Sequence, residues 1–186
     1  MSARPLDWRT RTRRALLPAL LGALLLPLAT RSATLQEYQL KALYLYNFSI
    51  FVSWPPRWQS GAPFVYCAAV RDRTTDALEK LLRGEVLDGH PLALRYMARG
   101  LALSTCRVLY LNGLSAAQRR AVITRAGRLP ILTVAEDPGA LDEGGIVALV
   151  RKGRRIRIFI NPRAASRRGL RVDSKLLGIA RLIGEW

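Results

Sequence analysis

Residues 64–70 of the chain read FVYCAAV and are apolar at every position. A strand that is apolar throughout is buried on both faces, as the strands of parallel sheets are. Residues 106–111 and 130–134 are two more short segments that are mostly apolar. In residues 92–96 the large apolar side chains of Leu92, Leu94 and Tyr96 alternate with Ala93 and Arg95, which is typical of a half-exposed strand. These four segments predict strands of one sheet.

Helix signals lie on both sides of these segments. Thr34 and Glu37 form a capping box that predicts a helix from residue 35, and Glu37 and Lys41 form an i,i+4 pair on its exposed side. Beyond this pair the helix is apolar in every direction, so it is either buried on all sides or covered by a partner. Trp54-Pro55 is expected to end it.

Four further helices are predicted at residues 74–83, 115–126, 161–169 and 174–183. Leu78, Leu81 and Leu82 are expected to point inward from the first of these helices. Ala117, Ala121, Val122 and Ile123 are expected to do so from the second, which Ser115 caps.

Residues 146–150 and 154–160 flank Arg151-Lys152-Gly153, which is a hairpin signal. The side chains of the second strand alternate between two faces. Ile156, Ile158 and Ile160 are expected to face the core. Arg155, Arg157 and Phe159 are expected to face solvent or a partner. Strands that alternate with helices predict an α/β protein. We expect a single domain with a mixed, mostly parallel sheet flanked by helices and a C-terminal hairpin.

The first 33 residues have the composition of an export signal. Five arginines lie within residues 4–14, and the apolar run that follows is about fifteen residues long, shorter than the roughly 20 that a membrane span needs. We therefore expect residues 1–33 to be a cleavable signal peptide and residues 34–186 to be a periplasmic domain. An uncleaved membrane anchor is the alternative.

The chain is strongly basic, with 30 Lys and Arg against 13 Asp and Glu and a formal net charge of +17. Half of its residues are hydrophobic, which excludes a mostly disordered chain. This charge in a cytosolic protein would suggest nucleic acid. An exported protein meets anionic lipid head groups or an acidic partner instead, so nucleic acid is not expected; solvated arginine-rich faces are the alternative.

Both cysteines, Cys67 and Cys106, lie in the part expected to be exported. An isolated pair in an oxidising compartment is expected to form a disulfide, with two buried free thiols as the alternative. One histidine, His90, and two cysteines are too few for a Cys/His metal cluster in one chain. No nucleotide-binding or hydrolase motif is present, so neither a cofactor nor a metal is expected.

No residue is assigned a catalytic role. The acidic pairs Glu136-Asp137 and Asp142-Glu143 lie in a loop rich in proline and glycine, where solvated carboxylates are common. An acid–base or metal-binding role is the alternative. His90 lies beside Asp88-Gly89 and is expected in an exposed turn.

Two groups of residues are candidates for binding a partner. Trp54, Arg57 and Trp58 surround the Pro55-Pro56 corner, and Trp and Arg are common interface anchors; capping of the core is the alternative for Trp54. The second group is the strand face of Arg155, Arg157 and Phe159, whose arginines could bind a carboxylate or phosphate. A solvated strand face is the alternative there.

The order of several motifs resembles one known family. Residues 37–48, EYQLKALYLYNF, are followed by Phe51-x-x-Trp54-Pro55, by the strands that hold Cys67 and Cys106, and by further similar segments. These are Leu132-Thr133-Val134, Gly144-Gly145-Ile146, Ile158-Phe159-Ile160-Asn161 and Ser174-Lys175-Leu176-Leu177-x-x-Ala180. Over nearly the whole chain after residue 33, the sequence resembles the YfiR family of periplasmic proteins.

The resemblance implies an α/β periplasmic domain, commonly dimeric, that is not an enzyme, and it assigns the family's conserved disulfide to Cys67 and Cys106. Some members have a second, redox-sensing cysteine pair, which this chain lacks because no cysteine follows Cys106. Members hold an inner-membrane diguanylate cyclase inactive and so limit cyclic-di-GMP signalling and biofilm formation.

The expected function is therefore regulatory, through binding of the periplasmic domain of an inner-membrane diguanylate cyclase or sensor kinase. A homodimer is compatible with this expectation. The alternative is a periplasmic small-ligand sensor or binding protein that serves a histidine kinase or another membrane receptor.

Overall fold

The computed structural model describes residues 36–55, 62–97 and 102–183. The expected signal peptide, Arg57 and Trp58 lie outside these ranges. The helices are α1 (Glu37–Phe51), α2 (Arg73–Leu82), α3 (Ala116–Ala126), α4 (Gly139–Asp142), α5 (Pro162–Arg167) and α6 (Ser174–Ile179). The strands are β1 (Val52–Ser53), β2 (Phe64–Ala68), β3 (Val86–Leu87), β4 (His90–Tyr96), β5 (Cys106–Tyr110), β6 (Leu132–Ala135), β7 (Val147–Lys152), β8 (Arg155–Ile160), β9 (Arg171–Val172) and β10 (Arg181–Leu182). None of the helices in the described ranges is long and apolar enough to cross a bilayer.

Eight strands form one sheet in the order β10-β8-β7-β6-β5-β2-β4-β3. The five strands from β4 to β7 in this order run parallel to their neighbours. β8 is antiparallel to β7, β10 is parallel to β8, and β3 is antiparallel to β4. This arrangement confirms the predicted α/β class, the mixed and mostly parallel sheet, and the hairpin.

The apolar run that begins at Phe64 forms β2, and every residue of β2 is buried. Its alternate side chains separate two cores. Phe64 and Tyr66 belong to the larger core, together with Leu45 and Phe48 of α1. Cys67 belongs to the smaller core, on the face of the sheet covered by α3. β2 therefore lies at the centre of the molecule, as parallel-sheet strands do.

Cys67 in β2 and Cys106 at the start of β5 form a disulfide with a Cα–Cα distance of 5.7 Å. Both residues are buried. The bridge joins adjacent parallel strands and closes a segment that contains α2, β3 and β4.

α1 begins and ends at different residues from those predicted. Its N-cap is Gln36, whose side chain and that of Gln39 form the capping box, and its last residue is Phe51. After Phe51 the backbone becomes extended because β1 pairs with β9 in a separate antiparallel ribbon, with Val52 opposite Val172. A contact 120 residues away along the chain thus ends the helix before Trp54.

Two other helices differ from their predictions. α3 has the predicted N-cap at Ser115, and Ile123 is buried as predicted. Ala117 and Ala121 are exposed instead, and the other residues that α3 buries are Arg119 and Ala126. The apolar stretch after residue 174 is not one helix: α6 ends at Ile179, and the chain then adds β10 to the sheet beside β8. Residues 139–142, predicted as loop, form the short helix α4.

Candidate partner-binding surfaces

Four exposed cations share one face of the hairpin end of the sheet. Lys152 lies opposite Arg155, and Arg157 lies on the same side of β8. Arg181 of β10 is the partner of Phe159 on that face. We call Lys152, Arg155, Arg157 and Arg181 the basic sheet surface; none of them forms an ion pair with a carboxylate of residues 36–55, 62–97 or 102–183.

The strand β8 has the two faces that its sequence predicts. Ile158 and Ile160 are buried in the larger core, and Ile156 packs against it. Phe159 points to the opposite face, where it is half-buried against a small cluster of apolar residues: Leu141, Ala148, Val150 and Ile183. Of the predicted group, Arg155 and Arg157 are therefore exposed, whereas most of Phe159 is covered.

Trp54 lies on the other side of the sheet. Its ring meets the ring of Phe64 edge to face, with centroids 5.1 Å apart and an interplanar angle of 86°. It packs against the larger core, and its Nε1 is buried without a hydrogen-bond partner in the described part of the chain. The position of Trp54 favours the core-capping alternative. Since Phe64 and Phe159 belong to opposite faces, Trp54 and the basic sheet surface do not form one site.

An apolar groove of about 480 Å³ runs between the outer sides of α1 and α2. We call it the α1–α2 groove; it is lined by Tyr38, Gln39, Leu43, Arg73, Asp76, Ala77, Lys80 and Leu81. Leu43 is 36% exposed and Leu81 38% exposed. The prediction that Leu81 points inward is therefore wrong, because the larger core is already closed by Leu78 and Leu82 of the same helix.

The rim of the groove carries an excess of unpaired positive charge. Arg73 and Lys80 form no ion pair within the described residues, while Asp76 accepts a hydrogen bond from Arg71 Nε at 2.8 Å. An apolar floor with a cationic rim suits an amphipathic segment that carries carboxylates.

The Glu37–Lys41 pair is not on an exposed side of α1, as the sequence predicts, but is part of a buried network. Lys41 is only 7% exposed. Its Nζ lies 2.6 Å from Glu37 Oε1 and donates to Glu136 Oε2 at 2.7 Å. The hydroxyl of Tyr110 donates to the other oxygen of Glu136.

These contacts set the ionisation of the groups. Burial alone lowers the pKa of the Lys41 ammonium, but its hydrogen bonds to Glu136 and Glu37 outweigh that effect and raise the pKa. The hydrogen bond from Lys41 lowers the pKa of Glu37, in spite of partial burial. Burial and the neighbouring Glu136 raise the pKa of Tyr110, so its hydroxyl keeps its proton. All three groups are therefore fixed in one ionic state at neutral pH.

A second buried cation binds the other carboxylates. Arg119 is 5% exposed, and its Nε and Nη2 donate to the two oxygens of Glu143 at 2.8 and 3.0 Å. Its Nη1 lies 2.9 Å from Asp137. Glu136, Asp137 and Glu143 are thus bound by basic side chains. The prediction of solvated loop carboxylates is wrong for Glu136 and Glu143, which are partly buried, whereas Asp137 and Asp142 are exposed as expected.

His90 is half-buried in β4 rather than exposed in a turn, and its Nδ1 lies 2.6 Å from the carbonyl oxygen of Ala62. Among the described residues, no group of three or more His, Cys, Asp and Glu side chains is placed to hold a metal ion. Three of the four acidic side chains that the sequence patterns single out form ion pairs with Lys41 or Arg119: Glu136, Asp137 and Glu143.

Comparison with known proteins identifies a family. A family model described as YfiR/HmsC-like matches residues 38–181, from the first turn of α1 to β10. The match covers more than half of the chain and includes both the α1–α2 groove and the basic sheet surface. No curated protein matches the chain.

Proposed function

The chain belongs to the YfiR/HmsC-like family, and we propose that it is an exported regulator that binds the periplasmic domain of an inner-membrane diguanylate cyclase and holds it inactive. The family is known for periplasmic regulators of diguanylate cyclases and is regulatory rather than catalytic. The regulator is not an enzyme: it lowers cyclic-di-GMP production by binding one conformation of the cyclase more tightly than the other.

The observation that carries the proposal is the α1–α2 groove. Leu43, Leu81 and, further along α1, Ile50 expose more than a third of their surface, and each would gain free energy by leaving water. The cations Arg73 and Lys80 beside them favour an acidic segment over a basic one. The proposed occupant is therefore an amphipathic, carboxylate-bearing segment of the periplasmic domain of the cyclase.

The basic sheet surface is a second proposed contact with the same partner. Arg155 and Arg157 are exposed and have no ion pair in the described ranges, so both remain available to carboxylates. Phe159 lies on the same face and packs against the apolar side chains of Ala148 and Val150. Trp54, Arg57 and Trp58 remain the proposed corner of the interface, in which Trp54 acts by holding the end of α1.

The groove is tested by charge substitution at one exposed position. Leu43→Glu should weaken binding of the periplasmic domain of the cyclase by at least about tenfold, because it places a carboxylate on the apolar floor of the groove. Ile179→Glu is the matched control, since Ile179 is 69% exposed and lies on α6, outside the groove. Both melting temperatures should stay close to that of the wild type.

Three results would decide the matter. Loss of binding by Leu43→Glu with unchanged binding by Ile179→Glu supports the groove. Unchanged binding by Leu43→Glu, together with loss in Arg157→Glu, would move the interface to the basic sheet surface. A wild-type protein that binds no periplasmic cyclase domain, and leaves cellular cyclic-di-GMP unchanged when deleted, would overturn the function itself.

Export belongs to the same proposal. We expect the mature protein to be periplasmic and to begin near residue 34, after removal of residues 1–33. N-terminal sequencing of the periplasmic protein measures this directly, and recovery of the intact N-terminus in the membrane fraction would contradict it.

A further inference from the structure

A pocket of about 460 Å³ lies between the C-terminal end of α3 and the helix α5. It shares no lining residue with the α1–α2 groove. Three of the residues that line it are arginines: Arg128, Arg167 and Arg168. The apolar part of the lining includes Ile123 and Ala164. Its volume is within the range of small-molecule sites.

Arg168 has an unusual environment for a charged side chain. It is only 7% exposed, although its sequence position beside Arg167 indicates a basic surface. Its Nη1 donates to the carbonyl of Ile131 at 3.3 Å and to Thr133 Oγ1 at 3.4 Å, and its Nη2 donates to the carbonyl of Gly144 at 3.2 Å. All three acceptors are neutral.

The comparison with Arg119 shows what Arg168 lacks. Arg119 is equally buried but is bound by the carboxylates of Glu143 and Asp137. Arg168 forms no ion pair within the described part of the chain, and both burial and repulsion from Arg167 lower the pKa of its guanidinium. A buried cation without an anion is costly, and buried charges are normally paired.

No carboxylate inside the pocket balances this charge. Glu143 is part of the lining, but both of its oxygens are already bound by Arg119, and its Oε1 also lies 3.7 Å from Arg120 Nη2. Arg128 and Arg167 are exposed at the mouth and form no ion pair with the described residues. The pocket therefore combines three arginines with no free acid.

We propose that this pocket binds a small organic oxyanion, a carboxylate or a phosphate ester. The charged group of the ligand binds the guanidinium groups of Arg128 and Arg167 and is attracted by the positive charge of Arg168. The apolar part of the ligand lies against Ile123. Guanidinium groups bind both oxyanions through paired N–H donors, which accounts for the shared chemistry. This site goes beyond the proposed binding of a cyclase, because it gives the regulator a ligand of its own.

The test uses the exported protein and three soluble probes: inorganic phosphate, citrate and glycerol 3-phosphate. Binding is measured by calorimetric titration and by thermal melts. Each probe is compared with sodium chloride at the same ionic strength, so that the general effect of salt on a strongly basic protein is subtracted from the result. Arg167→Gln and Arg128→Gln remove charge at the mouth without touching the buried Arg168. Arg163→Gln is the matched control, since Arg163 is exposed on the same helix as Arg167 but does not line the pocket.

We expect at least one probe to bind, and Arg167→Gln to weaken it by about tenfold or more. Arg163→Gln should bind like the wild type. The proposal is overturned if no probe binds, or if Arg163→Gln weakens binding as much as Arg167→Gln, because the effect would then be that of general charge.

The source of the oxyanion is resolved in the same experiment. Phosphatidylglycerol vesicles present a glycerol phosphate as a phosphodiester in a membrane. Binding to vesicles that also depends on Arg167 supports a lipid head group, and binding to soluble probes alone supports a free metabolite. Binding to vesicles that is insensitive to Arg167→Gln, with no binding of soluble probes, would contradict the pocket.

Discussion

Removing the disulfide should destabilise the protein by an amount that follows from its position in the chain. The bridge between Cys67 and Cys106 spans 39 residues. The chain-entropy model assigns about 4 kcal/mol to a closed loop of that length, because an unbridged unfolded chain samples many more conformations. The double variant Cys67→Ala/Cys106→Ala should therefore lose about 4 kcal/mol of unfolding free energy, a large fraction of the 5–15 kcal/mol typical of a domain.

Chemical denaturation of three samples measures this loss: oxidised wild type, reduced wild type and the double variant. Reduction should bring the wild type close to the variant, since both then lack the constraint, and the reductant should leave the variant unchanged. Both sulfur positions are buried, so the lost packing adds to the effect. A difference below about 1 kcal/mol between oxidised wild type and variant would refute the reasoning, as would a reductant that destabilises the variant equally.

Four further predictions concern the charged residues. Lys41→Met should lower the free energy of unfolding by about 2 kcal/mol in chemical denaturation, because it leaves two carboxylates without their buried cation. Arg151→Met, at the exposed side of Glu37, should lower it by less than about 0.5 kcal/mol. Equal losses would contradict the role assigned to burial. Lys41 lowers the pKa of Glu37 in the folded state. The stability that Glu37 contributes is therefore present above its unfolded pKa and is lost as the pH falls through its folded pKa. In thermal melts, the wild type should lose more stability than Lys41→Met between about pH 5 and 3. Arg157→Glu should leave the melting temperature within about 2 °C of wild type, since it is exposed and unpaired in the described ranges; a larger fall would show that Arg157 packs. Arg119→Met should lower the unfolding free energy by about 3 kcal/mol, because it leaves the carboxylates of Glu143 and Asp137 without their buried cation. A loss below about 1 kcal/mol would mean that Arg119 has no structural role.

Features decided by neighbouring residues could be predicted from the sequence. The unbroken apolar run that begins at Phe64 became the fully buried β2 because no residue in it offers a polar face. Ser115 caps α3 through the backbone N–H three residues later. The two faces of β8 follow from the period of two, which places Ile158 inside and Arg157 outside.

Features decided by distant residues could not be predicted in the same way. Lys41 and Glu136 are 95 positions apart, and Arg119 binds Glu143 across 24 positions. Local patterns assign charged side chains to the surface because an isolated charge is costly to bury. One signal was available: Lys41 is the only charged residue between positions 38 and 55, and a single charge in so apolar a helix indicates a buried partner.

The α1–α2 groove and the arginine pocket were missed for a related reason. Each is built from two helices that are adjacent only in the folded chain. Leu81 continues the apolar stripe of α2, so its pattern cannot distinguish a core contact from an exposed groove. Arg168 continues a basic cluster, and only the fold shows that its guanidinium is buried and donates to Thr133 of β6 and to the carbonyl oxygen of Gly144.

The ribbon of β1 and β9 has a consequence for the order in which the chain can fold. It pairs Val52 with Val172, so the anchor at the end of α1 lies 120 residues further along the chain. A protein leaves the ribosome, or an export channel, with its N-terminus first, and α1 therefore emerges long before β9 exists to hold it. Such a distant closure is slow, because the loop entropy must be overcome before the contact forms. Throughout that interval α1 is an apolar segment without its anchor, which makes it a natural binding site for a holding chaperone during biogenesis.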